Sequence, residues 1–198
     1  MILASHVIIS TYGFWLPNEE RGSWSEFVRS WELFRKFGAA TKVETHRSVA
    51  RRPYDRARKR EMQESLKYPV VRFTGLQARA VARGFALQVE KCGYVVYACA
   101  ILEDHSHLVI GRHRYDVVQV VGLLKGAASR QLEAEGLHPL RHDPREDGSL
   151  PSPWASRCWK VFLDNDGDLR RAIQYAEDNP TKQGKRPQDW SFVVPFDG

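Results

Sequence analysis

Two histidines flank one small residue, His105-Ser106-His107, inside an apolar run. Side chains two apart on a strand point to the same face, so both imidazoles can reach one cation. The pattern is short, and it is equally the pattern of a packed or solvent-facing pair. Further along the chain, Tyr175 and Asn179 stand four apart and share a face of any helix built there. An asparagine carbonyl oxygen is a hard ligand that suits Mg²⁺ or Mn²⁺ beside imidazoles. A tyrosine becomes a covalent nucleophile when its phenolic proton is removed or the phenolate is stabilised. Taken singly, Tyr175 also reads as a helix aromatic packed on a sheet, and Asn179 as a helix stop before Pro180.

Other groups fit contact with phosphate. Lys125, Ser129 and Arg130 lie on one helical surface or its margin. Residues 47–60 hold the densest positive run, with Arg47, Arg51, Arg52, Arg56, Arg58, Lys59 and Arg60 around Tyr54. Such a run suits a hairpin or single strand through phosphate pairing and base stacking, and it is also the composition of a disordered basic loop. Asp104 either orients a neighbouring histidine or serves as a turn residue. His6, His113, His138 and His142 read as structural or solvent-facing, and Trp154, Trp159 and Trp190 as packing for a sheet edge and the tail.

The elements that must position these residues follow from periodicity. The β-branched start, up to Thr11, reads as a first core strand. Gly13 to Asn18 breaks it, and an insertion at about 17–75 shows no sustained alternation. Residues 25–37 have apolar positions near helical spacing, and residues 56–66 are good helix formers. Thr74 caps a predicted helix that ends at Cys92-Gly93. Residues 94–102 and 105–111 form a predicted antiparallel pair, because the link between them is too short for a parallel crossover. Asp116 caps a helix over 117–135, closed by Gly136. Residues 138–153 read as a loop, 159–163 as a short strand, and 169–178 as a last helix stopped at Asn179-Pro180.

This order predicts an α+β fold, a ferredoxin-like antiparallel sheet with helices on one face and a basic insertion after the first strand. A chain of 198 residues with 42% hydrophobic content supports one domain over 1–198, the insertion included, with a catalytic helix and tail at about 168–198. The net charge of +6 and a pI near 9.3 favour a polyanionic partner such as DNA or RNA. Cys92, Cys99 and Cys158 have no CxxC spacing and leave an odd thiol after any pairing, which points to a reducing, cytoplasmic setting. The apolar N-terminus lacks a basic leader and is too short to span a bilayer, so no membrane role is expected.

Four segments in order carry a family resemblance: Ile101-Leu-Glu-Asp-His105-Ser-His107-Leu-Val-Ile110, Leu124-Lys-Gly-Ala-Ala-Ser129-Arg130, Trp159 onward, and Ile173-Gln-Tyr175-Ala-Glu-Asp-Asn179-Pro180. Over roughly residues 94–190 the chain resembles the single-tyrosine HUH transposases of the IS200-like superfamily, closest to the REP-associated tyrosine transposases. Ser106 departs from the bulky apolar residue usual between the two histidines. The resemblance implies the HUH endonuclease fold, with His105, His107 and Asn179 as ligands of Mg²⁺ or Mn²⁺ and Tyr175 as nucleophile. It implies cutting and rejoining of single-stranded or hairpin DNA through a 5′-phosphotyrosine, in transposition or mobilisation of repeat elements. It also implies DNA contact through Lys125, Ser129 and Arg130, in either a homodimer with shared active sites or a monomer. Two rivals stand beside it: a non-catalytic DNA-binding descendant, and a metallohydrolase with a metal-bound water as nucleophile.

Overall fold

The computed structural model describes residues 1–14 and 56–197. The expected helix over 25–37, and Arg47, Arg51, Arg52 and Tyr54 of the basic run, lie outside the described residues. In chain order the elements are β1 (Ala4–Thr11), α1 (Arg56–Glu64), α2 (Gly75–Cys92), β2 (Val96–Ile101), β3 (His105–Gly111), α3 (Val117–Ala134), β4 (Trp154–Leu163) and α4 (Asp166–Lys182). The strands form one antiparallel sheet in the order β2-β3-β1-β4. That order and the α+β layering bear out the ferredoxin-like expectation.

The helix boundaries have local causes. Thr74 accepts a hydrogen bond from the Gln77 backbone while the Gln77 side chain accepts one from the Thr74 backbone, a reciprocal cap that starts α2. Gly93 ends it in the left-handed conformation at φ 66°. The Asp116 carboxylate caps α3, and the Asn165 side chain caps α4 by accepting from Asp168 N–H.

Alternation along the strands sends side chains to two different layers. Val7, Ile9, Cys99, Ile101, Leu108 and Ile110 join one core with residues of α2 and α3. Ala4, Ala98, Val109 and Leu163 join a second, smaller core with Leu169, Ala172 and Ala176 of α4. The helix pair therefore covers one face, and the last helix lies on the other. Ser106 points away from its two histidine neighbours and is fully buried, with a hydroxyl that has no hydrogen-bond partner among the described residues.

Three boundaries differ from the sequence expectation. β4 begins at Trp154 rather than 159, because pairing with β1 extends the strand across a register irregularity as far as the Thr11 to Trp154 pair. α4 starts at Asp166 under its Asn165 cap rather than at 169. It also runs through Pro180 to Lys182 instead of stopping at 178. The proline sits in the final turn, where only one backbone bond is forfeited, and Gln183, Gly184 and Lys185 N–H groups bond back to Asn179, Pro180 and Thr181 carbonyls.

α2 and α3 cross at Gly84, where an added Cβ would stand 2.6 Å from Ala128 Cα and 2.8 Å from Ala127 O. Both obstacles are backbone, so neither helix can give way cheaply. Gly84→Ala is expected to lower stability by about 1–3 kcal/mol despite the better helix propensity of alanine. Gly122 in α3 has open space where its Cβ would go. Gly122→Ala is expected to raise stability by about 0.5–1 kcal/mol. Urea denaturation of both variants checks the opposite signs.

Candidate functional site

The histidines meet because of strand register. His6 of β1 is paired with Val109, and His107 of β3 is paired with Ile8, so the two imidazoles are diagonal neighbours on one face. On the other side of β1, Ile8 is paired with Trp159 of β4, which places the indole diagonal to His6 as well. His105 lies two residues before His107 and shares its face. The His105 and His107 ring centroids are 4.9 Å apart, and the His6 and His107 rings stack at 5.3 Å. His6, His105 and His107 are 6%, 6% and 2% exposed.

α4 brings the phenol to this face. Leu169, Ala172 and Ala176 settle the helix on the sheet, and Tyr175 takes the next position around. Its ring centroid is 5.4 Å from that of His107 and 5.8 Å from that of His6. Tyr175 is 48% exposed, so one edge touches the histidines while the rest is open to an incoming molecule. The Lys182 ammonium lies 5.1 Å above the Tyr175 ring centroid and 3.3 Å from the Asp178 carboxylate. It supplies positive charge where a phenolate or a phosphate would carry negative charge.

Asn179 follows one turn later and is 8% exposed. Its Nδ2 donates to the Tyr175 carbonyl at 3.1 Å, which leaves Oδ1 as the atom for ligation. Each histidine of the pair is engaged at Nδ1. His105 Nδ1 bonds the Asp104 carboxylate at 2.5 Å, and His107 Nδ1 is 3.1 Å from His6 Nε2. Nε2 is then the nitrogen through which each ring would reach a cation. Two imidazoles on one face and an amide oxygen on the facing helix are a donor set that fits a divalent cation of the Mg²⁺ or Mn²⁺ kind. Among the described residues no cluster of three or more histidine, cysteine or acidic side chains forms a metal site.

The structure brings His105, His107 and Tyr175 into one cluster, with Asn179 on the same helix as the phenol. It does not bring Lys125, Ser129 and Arg130 there, since α3 covers the opposite face of the sheet. The Lys125 ammonium donates to the Ala155 and Arg157 carbonyls at 2.7 and 2.9 Å, tying α3 to the start of β4. Burial lowers Lys125 to about 8. The Ser129 hydroxyl donates to the Lys125 carbonyl and accepts from the Trp154 indole. Arg130 is exposed on the same helix. Arg56, Arg58, Lys59 and Arg60 fall on α1, where Lys59 lies over the Phe14 ring at 5.5 Å.

Sequence reasoning read His6 as structural or solvent-facing and Trp159 as sheet-edge packing, without placing either at the site, and did not single out Lys182. Lys182 carried a usable signal, since it stands seven positions after Tyr175 and so returns to the same face after two turns. His6 and Trp159 enter the cluster through cross-strand register, which no local spacing encodes.

Burial lowers the His6 imidazole to about 4. Between that value and 6.5 the unfolded chain binds a proton that the folded chain refuses. The His6 contribution therefore leaves stability intact above pH 6.5 and erodes it as pH falls toward 4, by up to about 3 kcal/mol. His138, lowered by burial in the same direction, adds to the slope. His6→Gln is expected to flatten the loss of stability between pH 7 and 4.5, read by urea denaturation. An unchanged slope would mean that His6 titrates normally in the folded chain.

No protein-family model matches the sequence, and no curated protein matches it. Among the described residues no helix is long and apolar enough to cross a membrane. Among solved structures, the chain is similar to a protein from Deinococcus radiodurans R1 described as a transposase, at 14% identity over 90% of this chain and 91% of that one, with a TM-score of 0.41. It is also similar to a REP-associated tyrosine transposase bound to a REP hairpin, at 14% identity over 96% of this chain and 74% of that one, with a TM-score of 0.48.

Proposed function

We propose that this protein is a transposase-type nuclease that cuts and rejoins single-stranded or hairpin DNA through a covalent link to Tyr175. The observation that carries the reading is the contact of the Tyr175 ring with the His107 and His6 rings, on the face that also holds His105. A phenol half open to solvent beside buried imidazoles has little packing value, whereas a nucleophile needs this combination of access and a polar floor.

In this reading the Tyr175 oxygen attacks the scissile phosphorus. The new phenolic ester holds the 5′-phosphate, the bond from phosphorus to the 3′-oxygen breaks, and the phenolic proton leaves as the 3′-oxygen becomes a hydroxyl. A second 3′-hydroxyl reverses the exchange, with no nucleotide hydrolysis, because each step trades one phosphodiester for another. His105, His107 and the Asn179 carbonyl would hold a divalent cation, which when bound supplies Lewis-acid polarisation of the phosphate. Lys182 screens charge at the phenol, and Arg56, Lys59 and Arg60 offer phosphate contacts along the flanking strand.

Incubation of the full chain with labelled single strands and Mn²⁺ is expected to give an adduct that survives denaturing electrophoresis. Tyr175→Phe is expected to abolish the adduct with strand affinity changed by less than about threefold, the removed hydroxyl being absent from any ground-state phosphate grip. An adduct that persists in Tyr175→Phe removes this residue from the mechanism. Excess chelator and His105→Ala are each expected to stop adduct formation, and a strand nicked without an adduct would point to hydrolysis by water instead.

A further inference from the structure

His6 has no role in the chemistry described so far, yet it is the buried residue that joins the histidine pair to β1. A neutral imidazole carries one ring proton, and the nitrogen without it holds the lone pair that ligates a cation. For His107 to ligate through Nε2, its proton must sit on Nδ1, and Nδ1–H must find an acceptor. The fold supplies one: His6 Nε2 stands 3.1 Å away, with the two rings inclined by 26°. His105 shows the same arrangement, with Asp104 facing its Nδ1.

We propose that His6 is a positioning residue for the histidine pair: by accepting a hydrogen bond from His107 Nδ1–H it fixes the tautomer and ring orientation that turn Nε2 toward a divalent cation. The inference rests on the reading of His105 and His107 as a cation site. His6 is itself held from several sides. Trp159 packs edge-on at 5.3 Å, Tyr175 at 5.8 Å, and β1, like β3, has a partner strand on each edge. A ring confined in this way has little freedom to swing off His107, so the acceptor is preorganised. The two supports also differ in kind. A carboxylate faces His105 and a neutral ring faces His107, so His105 is the more electron-rich ligand of the two.

The test uses the full chain in two measurements. Mn²⁺ affinity is measured by calorimetry for the wild type, His105→Ala, His6→Phe and His6→Gln. Ring ¹⁵N NMR of the metal-free wild type reports which nitrogen of His107 carries the proton. His6→Phe fills the space without an acceptor and is expected to weaken Mn²⁺ binding by about 10- to 100-fold. His6→Gln, whose Oε1 can stand where Nε2 stood, is expected to recover most of that loss. The wild-type spectrum is expected to show His107 protonated at Nδ1.

Wild-type affinity in His6→Phe, alongside a clear loss in His105→Ala, would overturn the role of His6 and leave the cation site standing. A His6→Gln variant no better than His6→Phe would reduce His6 to packing. Where the variants do not fold, the spectrum decides alone, because a His107 proton on Nε2 overturns the inference without any substitution. No Mn²⁺ binding by the wild type, or no loss in His105→Ala, would defeat the cation site itself and the His6 role with it.

Discussion

How closely α4 can approach the sheet decides whether this chain has a site at all. Leu169, Ala172 and Ala176 pack with Ala4, Ala98, Val109 and Leu163, so alanines make up much of the layer between helix and strands. Larger side chains there would lift the helix, and ring contacts of the kind Tyr175 makes with His107 and His6 decay within an ångström or so of separation. The segment after the helix adds a second constraint. Lys185 pairs with Glu103, and the Gln188 carboxamide bonds both the N–H and the carbonyl of Ile101 at 2.8 Å. These contacts fasten the chain beyond the helix to the strand edge and turn that lead into Asp104 and His105. One chain thus supplies both the imidazoles and the phenol.

The sheet divides its labour between its faces. β3 is buried along its whole length, but alternate residues serve different ends: Leu108 and Ile110 join the large core under α2 and α3, while His105 and His107 line the face under α4. The larger core stabilises a framework against which the smaller one can be sparse and polar. Ser106 shows the limit of that arrangement. It occupies the helix-pair face between the two histidines, and its orphan hydroxyl costs about 1–3 kcal/mol that an apolar residue there would not.

What was legible from the sequence was local. The caps at Thr74 and Asp116, the left-handed glycine at Gly93 and the short link between β2 and β3 each act within a few residues, so each could be read from spacing. The pairing of two histidines on one strand face and the shared helical face of Tyr175 and Asn179 are of the same kind. What escaped was tertiary. The start of β4 at Trp154 depends on β1 lying alongside, and the passage of α4 through Pro180 depends on bonds made by residues that follow it. His6 escaped for the same reason. In the sequence it is one polar residue in an apolar strand, and only the register that sets it diagonal to His107 gives it a place. Lys125 and Ser129, spaced as if for phosphate, instead spend hydrogen bonds on carbonyl oxygens and an indole within the fold.

The charge balance of the cluster has a consequence for the proposed reading. Two imidazoles and an amide are neutral ligands, and His6, lowered by burial, adds no charge at neutral pH. The Asp104 carboxylate faces His105 at Nδ1 rather than at Nε2. A divalent cation held by such a set would keep most of its charge uncompensated. A phosphodiester brings the missing negative charge, so cation and DNA would each bind more tightly in the presence of the other, by the same factor. The two imidazole nitrogens would also favour Mn²⁺ over Mg²⁺, which prefers oxygen and gives up water reluctantly. In the proposed reading the site would be incomplete without substrate, and the phosphate would be both the group to be cut and part of what holds the cation.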